Sequence, residues 1–256
     1  MPLSKIQEIA ESFDPIGLTE MDSVQLMNRV DTKFVFSLDK LIELLPLLKE
    51  QYFLLNVKNV LFSQYESLYY DDKEFSSYYD HHNGKVNRFK IRYRKYVNSN
   101  LVFLEVKHKS KGRTNKSRIR VEDIPNNMNA KDFDFVKNAG VKNAELSPSL
   151  LNNFSRITLV NKQMNERLTI DLDLSYAWCS KEKSIENIVI AELKQGKAMR
   201  NSPFYVLMKE NQIRPLKISK YTIGMILMYD KVAIKYNRFK KKILKIHKLQ
   251  HKTTIL

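Results

Sequence analysis

Glycine is scarce in this 256-residue sequence: six residues, at 17, 84, 112, 140, 196 and 224, no two closer than 28 positions. A Walker A loop or a Rossmann fingerprint needs two or more glycines within a few residues, because only glycine lets the backbone wrap that closely around phosphate. Both are excluded. A single cysteine, Cys179, excludes an internal disulfide and a cysteine-based zinc cluster. It reads as a packed structural thiol in a reducing compartment. The opening MPLSKIQEIAESF has early acidic residues and no continuous apolar stretch, so a secretory signal is not expected. The longest apolar runs, around 41–48 and 221–229, are too short to span a bilayer. The chain reads as soluble and cytoplasmic.

Acid is the second scarcity. Aspartate and glutamate number 28 against 44 lysines and arginines, a net charge of +16, while 43% hydrophobic content is enough for a real core. The excess points to a polyanionic partner: nucleic acid, phosphate compounds or an anionic membrane surface. Nine basic residues and no acid lie in 231–256, leaving +7 for the rest. In KYNRFKKKILKIHKLQHK the lysines are interspersed with Phe239, Ile243, Leu244 and Ile246, the pattern of a basic amphipathic helix. The expected division is a body over 1–230 and a basic, helical tail over 231–256. The tail would touch an anionic membrane surface, a membrane protein partner or a polyanion; the plainer alternative is a solvated charged end.

The body reads as many strands with a few helices. Ser37 caps a helix with a stripe of Leu41, Leu44, Leu45 and Leu48. Further helices are expected over 131 to about 139, closed by Gly140, after Ser202 and Pro203, and over 222–229. Strands are expected at 52–58, 61–71, 76–82, 86–97, 101–109, 116–122, 155–160, 167–174 and 186–194. His81, His82, Asn83 and Gly84 read as a hairpin turn.

Side chains two apart on a strand share a face. Arg29, Asp31 and Lys33 fall together, as do Arg88, Lys90, Arg92 and Arg94. Glu105, Lys107 and Lys109 oppose Val102, Leu104 and Val106. Lys116, Arg118, Arg120 and Glu122 form another set; Arg167, Thr169, Asp171 and Asp173 face away from Leu168, Ile170, Leu172 and Leu174; Glu192 shares a face with Lys194. One such strand is ordinary for an antiparallel sheet wet on one side. Six of them would crowd cations on one surface, which is unfavourable on a flat sheet. A closed antiparallel β-barrel in an α+β fold, charges inward and helices packed outside, turns the crowding into a tunnel for linked phosphates. Glu192, helped by Glu105, Asp171 or Asp173, is the candidate ligand for Mn2+ or Mg2+; otherwise these acids neutralise arginines.

RVDTKFVF, YYDDKEF, KIRYRKY, LEVKHKSKGRTNKSRI, NFSRITL, RLTIDLDL, IVIAELKQGK and ISKYTIGM, in this order over roughly 20–230, resemble the catalytic domain of the vacuolar transporter chaperone (VTC) family. That family is the polyphosphate polymerase branch of the triphosphate tunnel metalloenzymes, related to CYTH adenylate cyclase and thiamine triphosphatase domains. The resemblance implies that Lys33, Arg92, Arg94, Lys107, Arg156 and Arg167 bind phosphate, with Arg88 and either Lys116 or Arg118; Lys194, on the face of Glu192, is expected to bind phosphate as well. It implies that Glu192 holds the metal and that Lys220 meets the transferred phosphate near the tunnel mouth. RVDTK replaces the ExExK of hydrolytic tunnel enzymes, and no SPX-type sensor or membrane region is evident.

The expected activity is transfer of the γ-phosphoryl group of ATP to growing polyphosphate, with Lys220, Arg92 and Arg94 closest to the chemistry. The alternatives are a tunnel triphosphatase and a noncatalytic module that binds polyphosphate or RNA. Nucleic acid is disfavoured because Phe89 and Tyr93 alternate away from the basic face. His247 and His251, four apart, read as a solvated face rather than a zinc site.

Overall fold

Strands with one apolar and one charged face need two different surroundings, and a curled sheet supplies them. The computed structural model describes residues 2–22, 29–111, 113–142, 145–230 and 232–250. Its elements in chain order are α1 (Pro2–Glu11), β1 (Pro15–Ile16), α2 (Leu18–Asp22), β2 (Val30–Ser37), α3 (Leu38–Leu44), β3 (Tyr52–Leu55), β4 (Ser63–Asp71) and α4 (Ser76–His82). Then follow β5 (Arg88–Tyr96), β6 (Leu101–Ser110), β7 (Arg113–Val121), α5 (Ala130–Asn138), β8 (Ser147–Asn161), β9 (Glu166–Trp178), β10 (Lys181–Ile185), β11 (Ile188–Gln195), α6 (Pro203–Glu210), α7 (Lys220–Met228) and α8 (Lys240–Gln250).

The main sheet runs β2-β11-β9-β8-β4-β5-β6-β7, antiparallel throughout. Strand β3 joins β8, β1 pairs in parallel with β3, and β10 forms a hairpin with β9. The expected closure is not seen: among the described residues no pairing joins β2 to β7, so the sheet is a strongly curled half-barrel. A seam there would set the arginines and lysines of β7 against Arg29 and Lys33, like charges directly opposed. Charged, exposed β7 is instead a protected edge.

Two apolar layers cover the convex face. Phe34, Phe36, Leu168, Ile170, Leu172, Val189 and Leu193 pack against α1, α3 and α6 through Ile6, Leu41, Leu44 and Phe204. Ile91, Tyr93, Leu104 and Val106 pack against Val136 of α5. Ser37 Oγ accepts from Lys40 N at 3.3 Å, and Asn129 Oδ1 from Asp132 N at 2.9 Å, so α3 and α5 start at their capping residues.

Helices are not confined to the outside. Helices α7 and α8 together fill one end of the concave face, where Tyr221, Ile223 and Met225 meet Val35, Leu150, Leu174, Tyr176 and Ile190. A bulge in β9 makes this possible. Residues 172–175 of β9 pass only 153–155 of β8, and Asp173 takes a φ of 52°. Leu174 and Tyr176 therefore turn to the concave side. Asp173 is exposed, which removes it from the expected metal helpers.

Other expectations fail for local reasons. Residues 76–82 form α4, not a strand, because Asp72 accepts from Ser76 N at 2.8 Å and Asp71 from Ser77 N and Tyr78 N at 2.9 and 3.1 Å, capping a helix. The expected hairpin at 81–84 is the end of this helix, with Asn83 N donating to Tyr79 O at 2.7 Å and Gly84 at a φ of 74°. Cys179 is exposed in the β9–β10 turn rather than packed. Among the described residues no helix is long and apolar enough to cross a membrane.

Helix α7 approaches the sheet so closely that a Cβ on Gly224 would fall 2.5 Å from Leu150 Cδ2 and nearer still to Tyr176. Gly224→Ala is therefore expected to lower stability by about 1–3 kcal/mol in urea unfolding. An unchanged midpoint would contradict this packing.

Candidate functional site

The rest of the concave face is charged, and strand register sets the order of the charges. Glu192 lies opposite Lys33 and Thr169, Lys194 opposite Arg167, and Arg156 opposite Asp171. Arg92 lies opposite Tyr69 and Glu105, Lys90 opposite Lys107, and Lys107 opposite Lys116.

Three carboxylates each hold two cations. Glu192 takes Lys33 and, at 3.0 Å, Lys194. Asp171 takes Lys220 and a fork from Arg156, Nε to Oδ1 at 2.5 Å and Nη2 to Oδ2 at 2.9 Å. Glu105 takes Arg92 Nε and Nη2 at 2.9 and 2.7 Å and Lys116 at 2.5 Å. The side chains of Asp171 and Glu105 are 2% exposed, against 14% for Arg156 and Lys220, 21% for Arg92 and 36% for Lys116. Asp171 and Glu105 thus form a floor, and the cations above them are the atoms that an incoming anion meets.

Aromatic rings hold several cations from the side. The Arg94 guanidinium lies 5.3 and 5.6 Å from the ring centres of Tyr65 and Phe154, Arg156 lies 5.0 and 5.3 Å from the same rings, and Lys220 lies 4.3 Å over Phe154. Arg94 Nε also donates to buried Ser67 at 3.2 Å. Among the described residues no carboxylate pairs with Arg94, Lys90 or Lys107.

Protonation follows from this crowding. Burial opposes ionisation of Asp171, yet Arg156 and Lys220 hold it well below the usual carboxylate range; Arg92, Arg94 and Lys116 do the same for Glu105. Burial also acts against Glu192, but Lys194 and Lys33 keep it ionised. Lys116, Lys194 and Lys220 are each pushed down to about 8 by burial, against the pull of their carboxylates. Burial, then Lys107, Arg88 and Lys33, push Lys90 far below its ordinary value. Lys33 stands on β2 and Lys90 on β5, so the curl brings distant strands within electrostatic reach.

The face carries Lys33, Arg92, Arg94, Lys107, Lys116, Arg156, Lys194, Lys220 and Glu192. Arg88 sits near the start of β5 and donates Nη1 to Lys85 O at 2.5 Å. Arg118 is exposed, its guanidinium 4.7 Å over Phe103. Arg167 donates to Met21 O at 3.3 Å. Lys90, which is not among the phosphate ligands expected from the sequence, shares the face of Arg92 and Arg94 by alternation, and its Nζ donates to Ser219 Oγ at 2.7 Å. Tyr69, whose hydroxyl accepts from Arg92 at 3.1 Å, carried no sequence signal. His247 is exposed, and His251 lies outside the described residues.

Compared with protein families, the chain matches the VTC domain over residues 28–229. It belongs to the VTC-domain family. No curated protein matches this VTC-domain chain significantly. Solved structures similar to it include an adenylate cyclase candidate from Bacillus halodurans, 12% identical, covering 75% of this chain and 96% of that one, with a TM-score of 0.49. The PH1012 protein from Pyrococcus horikoshii is 10% identical, over 78% and 99% of the two chains, at 0.42. An adenylyl cyclase candidate from Hippeastrum, described as having a dominant triphosphatase activity, is 12% identical over 79% and 97%, also at 0.42. All three scores are below 0.5.

Lysines poised near 8 give the VTC domain a signature in pH. Raising pH from 7 to 9 removes protons from Lys116, Lys194 and Lys220, so tripolyphosphate affinity should fall by calorimetric titration. The empty protein should respond oppositely: above about 8 its unfolded state binds more protons at these lysines, so their contribution to stability rises with pH. Affinity that stays constant across this range would contradict the assignment.

Proposed function

We propose that the concave face is a triphosphate tunnel in which the protein transfers the γ-phosphoryl group of ATP to the end of a polyphosphate chain. The observation that carries this reading is the set of cations held over buried carboxylates, beside Lys90, Lys107 and Arg94, which have none. Charged hydrogen bonds contribute on the order of 1.5–3 kcal/mol each, so a few can hold a triphosphate without a glycine-rich loop.

In this reading Lys33, Lys107, Lys194 and Arg156 grip the phosphate chain, with Arg88, Lys116, Arg118 and Arg167 toward its margins. Arg92, Arg94 and Lys220 face the transferred group and offset charge on its equatorial oxygens. A terminal polyphosphate oxygen attacks the γ-phosphorus, the bond to the β–γ bridging oxygen breaks, and ADP leaves with that oxygen. The attacking oxygen is already ionised, so no base is required. That suits the site: Asp171, Glu105 and Glu192 are each occupied by two cations. His108, stacked 4.2 Å from Phe89, faces away from them.

Among the described residues no three acidic, histidine or cysteine side chains are grouped to hold a metal. A divalent cation here would be shared with substrate: Glu192 would exchange Lys33 or Lys194 for the metal and supply one carboxylate, and phosphate oxygens would complete the shell. Mn2+ or Mg2+ bound there would neutralise triphosphate charge.

The test is to supply ATP with Mn2+ and separate the products by length. Chains longer than triphosphate are expected, and Glu192→Gln and Lys220→Ala should each slow their formation by about 100-fold or more. Phosphate without longer chains would make the protein a tunnel triphosphatase; tight polyphosphate binding without turnover would make it a binding module. Unchanged turnover in both variants would overturn the site.

A further inference from the structure

The basic face does not stop at the edge of the trough. Lys90 is tied to Ser219, the residue before α7, and next along β5 on the same face Arg88 lies opposite Lys109. Lys217, two residues before Ser219, lines a cleft with Lys242 of α8, and Phe239 and Ile243 lie in its wall. The Lys242 ammonium sits 4.9 Å over the Phe239 ring. Burial and then Lys217 lower the pKa of Lys242, and burial followed by Arg88 and Lys217 does the same for Lys109, so these side chains form one electrostatic group. Beside them His81, its ring 5.6 Å from Phe239, is held neutral by burial and by Lys90, Arg88, Lys242 and Lys109. Among the described residues no ion pair forms at Arg88, Lys109, Lys217 or Lys242. Asp80, the acid acting on Arg88, is ion-paired to Lys85 at 2.7 Å.

We propose that Lys109, Lys217 and Lys242, continuing from Lys90 and Arg88, form an external binding track for the part of a long inorganic polyphosphate chain that extends beyond the trough. The identity of this ligand rests on the function proposed above. A row of cations leading out of a phosphate-binding trough matches a linear polymer with one charge per unit that is longer than a triphosphate. An anionic membrane is the less suitable ligand. Phe239, Ile243 and Ile246 are buried with α4 and α7, so α8 has already spent its apolar side on the core and has little left for a bilayer. Of the three lysines, Lys242 on α8 lies beyond the region matched to the VTC domain, whereas Lys109 and Lys217 lie within it.

The test compares long-chain polyphosphate with tripolyphosphate as ligands of the full chain, by calorimetry at two salt concentrations. In Lys109→Ala/Lys217→Ala/Lys242→Ala, affinity for the long chain should fall about tenfold and depend less steeply on salt. Tripolyphosphate affinity should stay within about twofold, and arginine at all three positions should restore long-chain binding. Equal weakening of both ligands, or no loss for the long chain, would overturn the track. Failure of the unaltered protein to bind tripolyphosphate would instead overturn the trough reading. Vesicles of phosphatidylcholine with phosphatidylserine provide the other arm: vesicle binding lost in the triple variant, with long-chain affinity kept, would reassign the patch to a membrane.

Discussion

Repulsion between cations is the constraint on which the rest of this fold depends. Lysines and arginines from several strands face one concave trough, where reduced dielectric strengthens their repulsion and burial penalises each charge. Asp171, Glu105 and Glu192 relieve part of it, each joining two cations that arise on different elements. The relief is incomplete, since Lys90, Lys107 and Arg94 remain without carboxylates, and this residual positive field is what a polyphosphate would satisfy. Buried ion pairs are weak evidence for stability in themselves. Here their effect is positional: they fix the cations in place before an anion arrives.

The scaffold follows from the same constraint. Curling the sheet separates the charged face from the two apolar layers outside it and brings Lys33 near Lys90 and Lys107. The bulge at Asp173 then turns Leu174 and Tyr176 inward, giving α7 an apolar seat at one end of the trough. Gly224 lets α7 settle against Leu150 and Tyr176, and the start of that helix carries Lys220 to Asp171. One strand irregularity and one missing side chain thus help to position a residue at the centre of the site.

Much of this was legible in the sequence because strand alternation is strict: two-residue spacing placed Arg92 and Arg94 with Lys90, and Glu192 with Lys194, on one face. The family resemblance agreed with the VTC-domain match. What escaped depended on geometry without a two-residue signature. The alternation fails at Asp173 because a positive φ is invisible in an otherwise regular run. Residues 76–82 look β-rich, but capping by Asp71 and Asp72 makes them a helix. Closure of the barrel depends on whether β2 and β7 pair, which composition does not determine. The aromatic support from Tyr65 and Phe154 was hidden because neither belongs to the charged sets.

The central claim is that the trough carries positive charge awaiting phosphate, and the direct measurement is unfolding stability as a function of tripolyphosphate. If the anion binds the folded trough alone, stability should climb with ligand concentration, by about 2.7 kcal/mol at a hundredfold excess over the dissociation constant. Arg156→Ala, which removes a cation held over the acidic floor of the trough, should reduce the gain. Stability that ignores tripolyphosphate, or an identical gain in the Arg156→Ala protein, would contradict the account.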